Sequence, residues 1–184
     1  MTKLLDRVLV VDIEATCWEK KPPAGQESEI IEIGICPVVV ETREPLEKYS
    51  ILVQPQRSTV SEFCTQLTTL TQTQVDDGVS FFEACQRLRK EFLSRDRVWA
   101  SYGDYDRRMF EKQCQALGVK YPFGTRHLNV KTLFAIALSL PKEVGMPTAL
   151  ELLNLPLEGT HHRGDDDAWN IARLLCEILR RSRS

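Results

Sequence analysis

The chain lacks the marks of a secreted, zinc-bound or membrane protein. Its six cysteines (Cys17, Cys36, Cys64, Cys85, Cys114 and Cys176) are scattered with no C-x-x-C pair. That spacing argues against a zinc site or a disulfide framework and for a reducing, cytoplasmic setting. No apolar run approaches membrane-spanning length, and the N-terminus shows no secretory pattern of basic flank, apolar stretch and small-residue cleavage site. Excess positive charge is missing too. A formal net charge of −2 argues against a broad electrostatic grip on duplex nucleic acid, though not against a protein that holds a few nucleotides through bound metal ions. With no internal repeat, low-complexity segment or long linker, the 184 residues predict one domain, 1–184, of ordinary globular composition.

What is present begins with strands. Residues 7–17 read as a buried strand, and 20–28, with Pro22, Pro23 and Gly25, as a loop. Apolar runs at 30–40 and 46–54 follow at short intervals, which predicts an antiparallel meander. Helical periodicity then predicts a short helix at 71–77 and a longer one at 81–93. A short strand at 98–101 and a helix at 105–117, capped by Gly118, come next. Short helices at 132–139 and 148–153 precede a final helix from about 166 to 181, and the basic tail 180–183 reads as its frayed, solvated end. Strands first, then alternation, predict an α/β fold with a mixed sheet flanked by helices.

Several acids occupy positions where a core residue is expected. Asp12 and Glu14 interrupt the run Val8-Leu9-Val10-Val11-Asp12-Ile13-Glu14. Alternation along a strand points both to one face. Like charges in a poorly solvated place cost free energy unless neutralised, and a divalent cation with hard oxygen ligands is the natural neutraliser. Helical phase selects two more acids. Asp106 recurs with Met109, Phe110, Gln113, Cys114 and Leu117, whereas Asp104 falls with Arg108, Glu111 and Gln115 or caps the helix. Asp167 recurs with Ile171, Leu174, Leu175 and Ile178; Asp166 falls on the wet side with Asn170, Arg173 and Glu177, and Asp165 is placed as the N-cap. Singly, each aspartate reads as a helix cap and the pair His161-His162 as a surface loop. Together they point to a two-metal phosphodiesterase. His161 precedes Asp166 by the same five residues as His162 precedes Asp167, so spacing alone leaves that choice open.

Three motifs carry a family resemblance: Val11-Asp12-Ile13-Glu14-Ala15-Thr16-Cys17, Ser101-Tyr102-Gly103-Asp104-Tyr105-Asp106 and His162-Arg163-Gly164-Asp165-Asp166-Asp167-Ala168. With them stand E-I-I-E-I at 29–33, S-E-F-C at 61–64 and D-D-A-W-N-I-A-R at 166–173. The chain resembles the DEDDh class of 3′-to-5′ exonucleases, and within it the branch that trims histone messenger RNA, 5.8S ribosomal RNA and small RNAs. The resemblance implies a ribonuclease H-like fold with a five-stranded sheet, three antiparallel strands first. It implies that Asp12, Glu14, Asp106 and Asp167 hold two divalent ions, Mg²⁺ or Mn²⁺, with His162 as general base. Ala15, Thr16, Leu70, Tyr105 and the segment Leu67-Thr68-Thr69-Leu70-Thr71 are implied neighbours of the terminal nucleotide. At Thr69 relatives often carry glycine. The implied partner is the 3′ end of a single strand, RNA favoured over DNA, with no membrane and with a protein that delivers substrate left open. A DNA exonuclease and a non-catalytic RNA-binding regulator on the same fold are the alternatives.

Overall fold

The computed structural model describes residues 4–181. Strand β1 (Arg7–Ala15) lies at the centre of a mixed sheet because both of its faces are covered, which is why its sequence is a continuous apolar run. It pairs antiparallel with β2 (Ile30–Val39), and β2 pairs antiparallel with β3 (Glu44–Pro45) and β4 (Tyr49–Leu52). On the other side β1 runs parallel to β5 (Val98–Ser101), and β5 parallel to β6 (His127–Asn129). The antiparallel meander is as expected. The sheet has six strands among the described residues, where five were expected. The strands that periodicity did not locate are the two-residue β3 and the three-residue β6, too short to leave a signal.

The helices are α1 (Glu62–Thr68), α2 (Gln72–Asp76), α3 (Phe81–Glu91), α4 (Tyr105–Leu117), α5 (Val130–Ala137), α6 (Met146–Leu152) and α7 (Gly164–Arg181). Helix α1 is the one the periodicity missed; its Ser61 side chain accepts from the Cys64 N–H as N-cap. Odd positions of β1 (Leu9, Val11, Ile13) pack with Trp99 against α3 and α4. Even positions (Val8, Val10) pack with Val98 and Ala100 against α5, α6 and α7. Asp12 and Glu14 continue the even series, so the apolar face that meets α7 turns acidic at the C-terminal end of β1.

Helix α7 comes close there because two glycines remove the obstacle. Gly34 is the register partner of Asp12, and a Cβ on it would lie 1.9 Å from the Gly164 carbonyl group. Only a Gly34–Gly164 contact lets the first turn of α7 rest on the strand beside Asp12. The helix begins two residues before the expected position. Arg163 C=O accepts the first helical bond, from Asp167 N–H at 2.8 Å, and the buried Glu32 carboxylate accepts from Gly164 N–H at 2.9 Å. Asp165 is therefore not the N-cap: it sits inside the first turn, 3.0 Å from the Lys48 ammonium. Of the basic tail, Arg180 and Arg181 remain helical, while 182–184 lie outside the described residues. No helix among the described residues is long and apolar enough to cross a membrane.

Candidate active site

The acidic end of β1, the first turns of α4 and α7, and the N-terminus of α6 enclose a cavity of about 420 Å³. Seven of the nine predicted site residues line it: Asp12, Glu14, Ala15, Tyr105, Asp106, His162 and Asp167. Carboxylate oxygens of Asp12, Glu14 and Asp167 lie within 4.8 Å of one another. Asp106 is held from the side, its Oδ1 accepting from the Ile13 N–H at 3.0 Å. The helical phase thus identified the two inward aspartates.

The other two predicted residues lie elsewhere. Thr16 is fully buried; its hydroxyl donates to Glu27 C=O at 3.2 Å and accepts from Glu29 N–H at 3.0 Å, pinning the strand end. Leu70 is buried with Ile31, Cys64 and Val75. The apolar wall comes instead from Leu67, 37% exposed, three residues before Leu70 and near the end of α1. Thr69 between them caps α1 with φ 64°, a left-handed conformation that disfavours a β-branched residue. Thr69→Gly is accordingly expected to stabilise the fold by about 1 kcal/mol in urea unfolding; an unchanged or lower stability would contradict the strain.

The wet-side expectation for Asp166 fails. Its carboxylate is bonded to Lys48 and accepts from Thr160 N–H at 2.7 Å, and Asn170 on the same side is buried against Glu158. The segment 156–160 covers that face, which helical phase alone does not register. Asp104 does stand apart: it precedes α4, makes no capping bond, and lies 3.3 Å from Arg107.

The two histidines take different parts. His161 Nδ1 lies 2.9 Å from Asp167 Oδ2, whereas His162 donates its backbone N–H to the same oxygen at 2.9 Å. His162 has φ 67°, and the two rings stack with centroids 3.9 Å apart. Backbone strain of this kind is stored where surrounding bonds over-determine it. The family resemblance pointed to His162, and nothing along the chain gave a sign that His161 would hold Asp167 by its side chain. Glu32 and Arg163 are also functional neighbours that the reading passed over. Glu32, fully buried in β2, accepts from Arg163 at 3.0 and 3.2 Å, from Ser50 at 2.6 Å and from Gly164. Its place in the E-I-I-E-I motif was the available signal.

The electrostatics fit a cation. Asp12, Glu14 and Asp106 have no lysine or arginine ion pair among the described residues. Burial and the neighbouring carboxylates push the Glu14 carboxyl up to about 8. Burial pushes Asp106 up to about 6 against the N–H groups that it accepts from, and Asp12 and Asp167 also move upward, chiefly through burial. Hard oxygens, converging and uncompensated, suit Mg²⁺ or Mn²⁺.

A raised carboxyl keeps its proton in the folded state after the unfolded chain has lost it, so metal-free stability falls as pH rises between the two values. For Glu14 that window runs from 4.5 to about 8. In EDTA the melting temperature is expected to fall from pH 5 to pH 8, by a stability on the order of a few kcal/mol, and millimolar Mg²⁺ should restore more at pH 8 than at pH 5. A metal-free melting temperature that stays flat or rises over this range would overturn the reading.

Comparison with known proteins agrees with the geometry. The profile of the family described as Exonuclease (RNase_T) matches residues 9–175. The chain is 30% identical to 3′-5′ exoribonuclease 1 of Homo sapiens, over 95% of this chain and 52% of that protein. It is 29% identical to the 3′-5′ exonuclease Snipper of Drosophila melanogaster, over 94% and 69% respectively. It thus spans about half the length of the human relative. Among solved structures, the nuclease domain of 3′hExo, a DEDDh family member bound to rAMP, superposes with a TM-score of 0.87 at 28% identity, covering 98% of this chain and 94% of that one. The chain belongs to the exonuclease (RNase T) family, and within it to the DEDDh class, with the ribonuclease H-like fold.

Proposed function

We propose that this chain is a metal-dependent 3′-to-5′ exonuclease that hydrolyses single-stranded RNA ends to nucleoside 5′-monophosphates. The observation that carries this is the convergence of Asp12, Glu14, Asp106 and Asp167 on one apolar-walled cavity with no lysine or arginine ion pair to any of them among the described residues. The named relatives support it, and a solved neighbour, 28% identical with a TM-score of 0.83, concerns 3′-end-specific recognition of histone mRNA stem-loop by a 3′-exonuclease. DEDDh exonucleases generally use divalent metal ions.

The four acids are the residues that would hold two such ions, Mg²⁺ or Mn²⁺. When bound, the ions supply an acidified water and charge stabilisation for the departing 3′ oxygen. The protein supplies the rest. The Ile13 N–H fixes the rotamer of Asp106, and the Gly34–Gly164 contact fixes the approach of Asp167 to Asp12. His162 takes the proton of the attacking water. Burial and the adjacent His161 hold the His162 imidazole below its ordinary value, so it is neutral and able to accept at pH 7. His161 orients Asp167. Leu67, Ala15 and the exposed Tyr105 offer a surface on which a terminal base stacks, which requires an unpaired end. The six free cysteines fit a cytoplasmic setting.

The test is a 5′-labelled RNA strand and its DNA counterpart, incubated with Mg²⁺, Mn²⁺ or EDTA. A metal-dependent ladder shortening from the 3′ end, faster on RNA, is expected; RNA binding without cleavage would point to a non-catalytic module. In the same assay His162→Ala should lose roughly 10²-fold in kcat, and Asp104→Ala should change it less than about twofold. A larger loss in His161→Ala than in His162→Ala would exchange their roles.

A further inference from the structure

A second cavity, of about 670 Å³, runs along the opposite flank of α4 and shares no lining residue with the acidic one. Its walls come from successive turns of α4, from the segment that follows the helix, and from Trp99 of β5 and His127 of β6. The size is that of a small-molecule site. Its chemistry is uneven in a way that packing alone does not explain. Arg107 is in its lining: its Nη2 lies 3.3 Å from Asp104, while its buried Nε is the one enclosed side-chain nitrogen or oxygen among the described residues with no hydrogen-bond partner. Lys120, exposed on the rim, has no ion pair among the described residues. Two half-buried rings, Tyr121 and His127, also line the cavity, the latter leaning on Trp99 with centroids 4.2 Å apart. Glu111, an exposed acceptor, completes the wall.

A partly exposed guanidinium with donors beyond its Asp104 contact and an unpaired ammonium suit an anion with several acceptor oxygens. Half-buried aromatic rings call for a planar partner. The carboxylate suits an amino group or a sugar hydroxyl and repels a second negative charge nearby. We propose that this cavity binds a nucleotide, its phosphate on Arg107 and Lys120 and its base against Tyr121 and His127, either free or as one unit of an RNA strand. The site is separate from the acidic cavity, and the proposal stands independently of the exonuclease reading.

The test is a titration in EDTA followed through the Trp99 indole N–H resonance, identified by its loss in Trp99→Phe. AMP, adenosine, inorganic phosphate and a pentaribonucleotide are the probes. Saturable AMP binding is expected, weakened at least about tenfold by Lys120→Glu and by Arg107→Gln, and unchanged by Leu67→Ala in the other cavity. Adenosine and phosphate should each bind at least about tenfold more weakly than AMP, because each satisfies half of the site. Saturation by AMP alone identifies a free nucleotide as the ligand; tighter, Lys120-dependent binding of the pentanucleotide identifies a strand unit. Lys120 is exposed, so its variant tests the proposal even if Arg107→Gln fails to fold. Binding of both probes that is indifferent to Lys120→Glu, or no binding of either at about 10 mM, would overturn the proposal. Since no metal is present, neither result bears on the RNA ladder.

Discussion

Asp12→Asn is expected to abolish measurable RNA shortening, a fall of about 10³-fold or more that corresponds to roughly 4 kcal/mol of transition-state stabilisation. Asp12 is the acid through which β1 enters the cluster, with Asp106, Asp167 and Glu14 all raising its carboxyl after burial has done so. The asparagine keeps the shape and removes one negative charge. In the metal-free protein that removal relieves repulsion on the remaining acids, so the variant should melt a few degrees higher than the parent in EDTA at pH 8. The stabilisation by added Mg²⁺ should shrink at the same time, because the site has lost a hard ligand. Opposite movements of activity and metal-free stability are the signature of a metal site. An Asp12→Asn protein that retains more than about a tenth of the activity, or that is less stable than the parent in EDTA, would remove Asp12 from the proposed role.

Glu32→Ala is expected to carry the largest stability loss, about 3 kcal/mol by urea unfolding, the lower end of what breaking a buried ion pair costs. Glu32 is fully buried, while its partner Arg163 keeps 26% side-chain exposure and can turn to water, which limits the loss. What remains is the orphaned Gly164 N–H at the start of α7. The effect should reach the site, since Arg163 lies between His162 and the helix that carries Asp167. A fall in kcat of roughly tenfold with little change in KM is the expected consequence of lost positioning. Glu32→Gln keeps an acceptor for Gly164 and Ser50 and should recover part of both losses. Stability within about 0.5 kcal/mol of the parent in Glu32→Ala would show that the carboxylate is not what fastens α7.

Much of this was legible along the chain. The alternation that places Asp12 and Glu14 on one face of β1, and the phase that turns Asp106 and Asp167 inward, are local regularities of strand and helix. They hold whatever the rest of the fold does. The meander, the positions of α3 and α4, and the cap at Gly118 were local in the same sense, because apolar periodicity and capping chemistry act over a few residues. Helix α1 escaped because two turns carry too little periodicity, and β3 and β6 because two or three residues carry almost none.

The rest was decided by contacts between segments far apart in sequence. Asp165 has the chemistry of an N-cap, yet α7 begins at Gly164 because Glu32, 132 residues earlier, accepts the N–H that a local cap would have taken. Asp166 has the phase of a solvated residue, yet Lys48 and the Thr160 N–H enclose it. Leu70 sits in a segment matched to the substrate pocket, but α1 presents Leu67 to the cavity, while Leu70, past the left-handed cap at Thr69, packs in the core. The sequence by itself determined which acids point inward, since periodicity is a property of one segment. Only the tertiary structure decided which groups hold those acids in place, because hydrogen bonds and burial depend on what another segment brings to the same point.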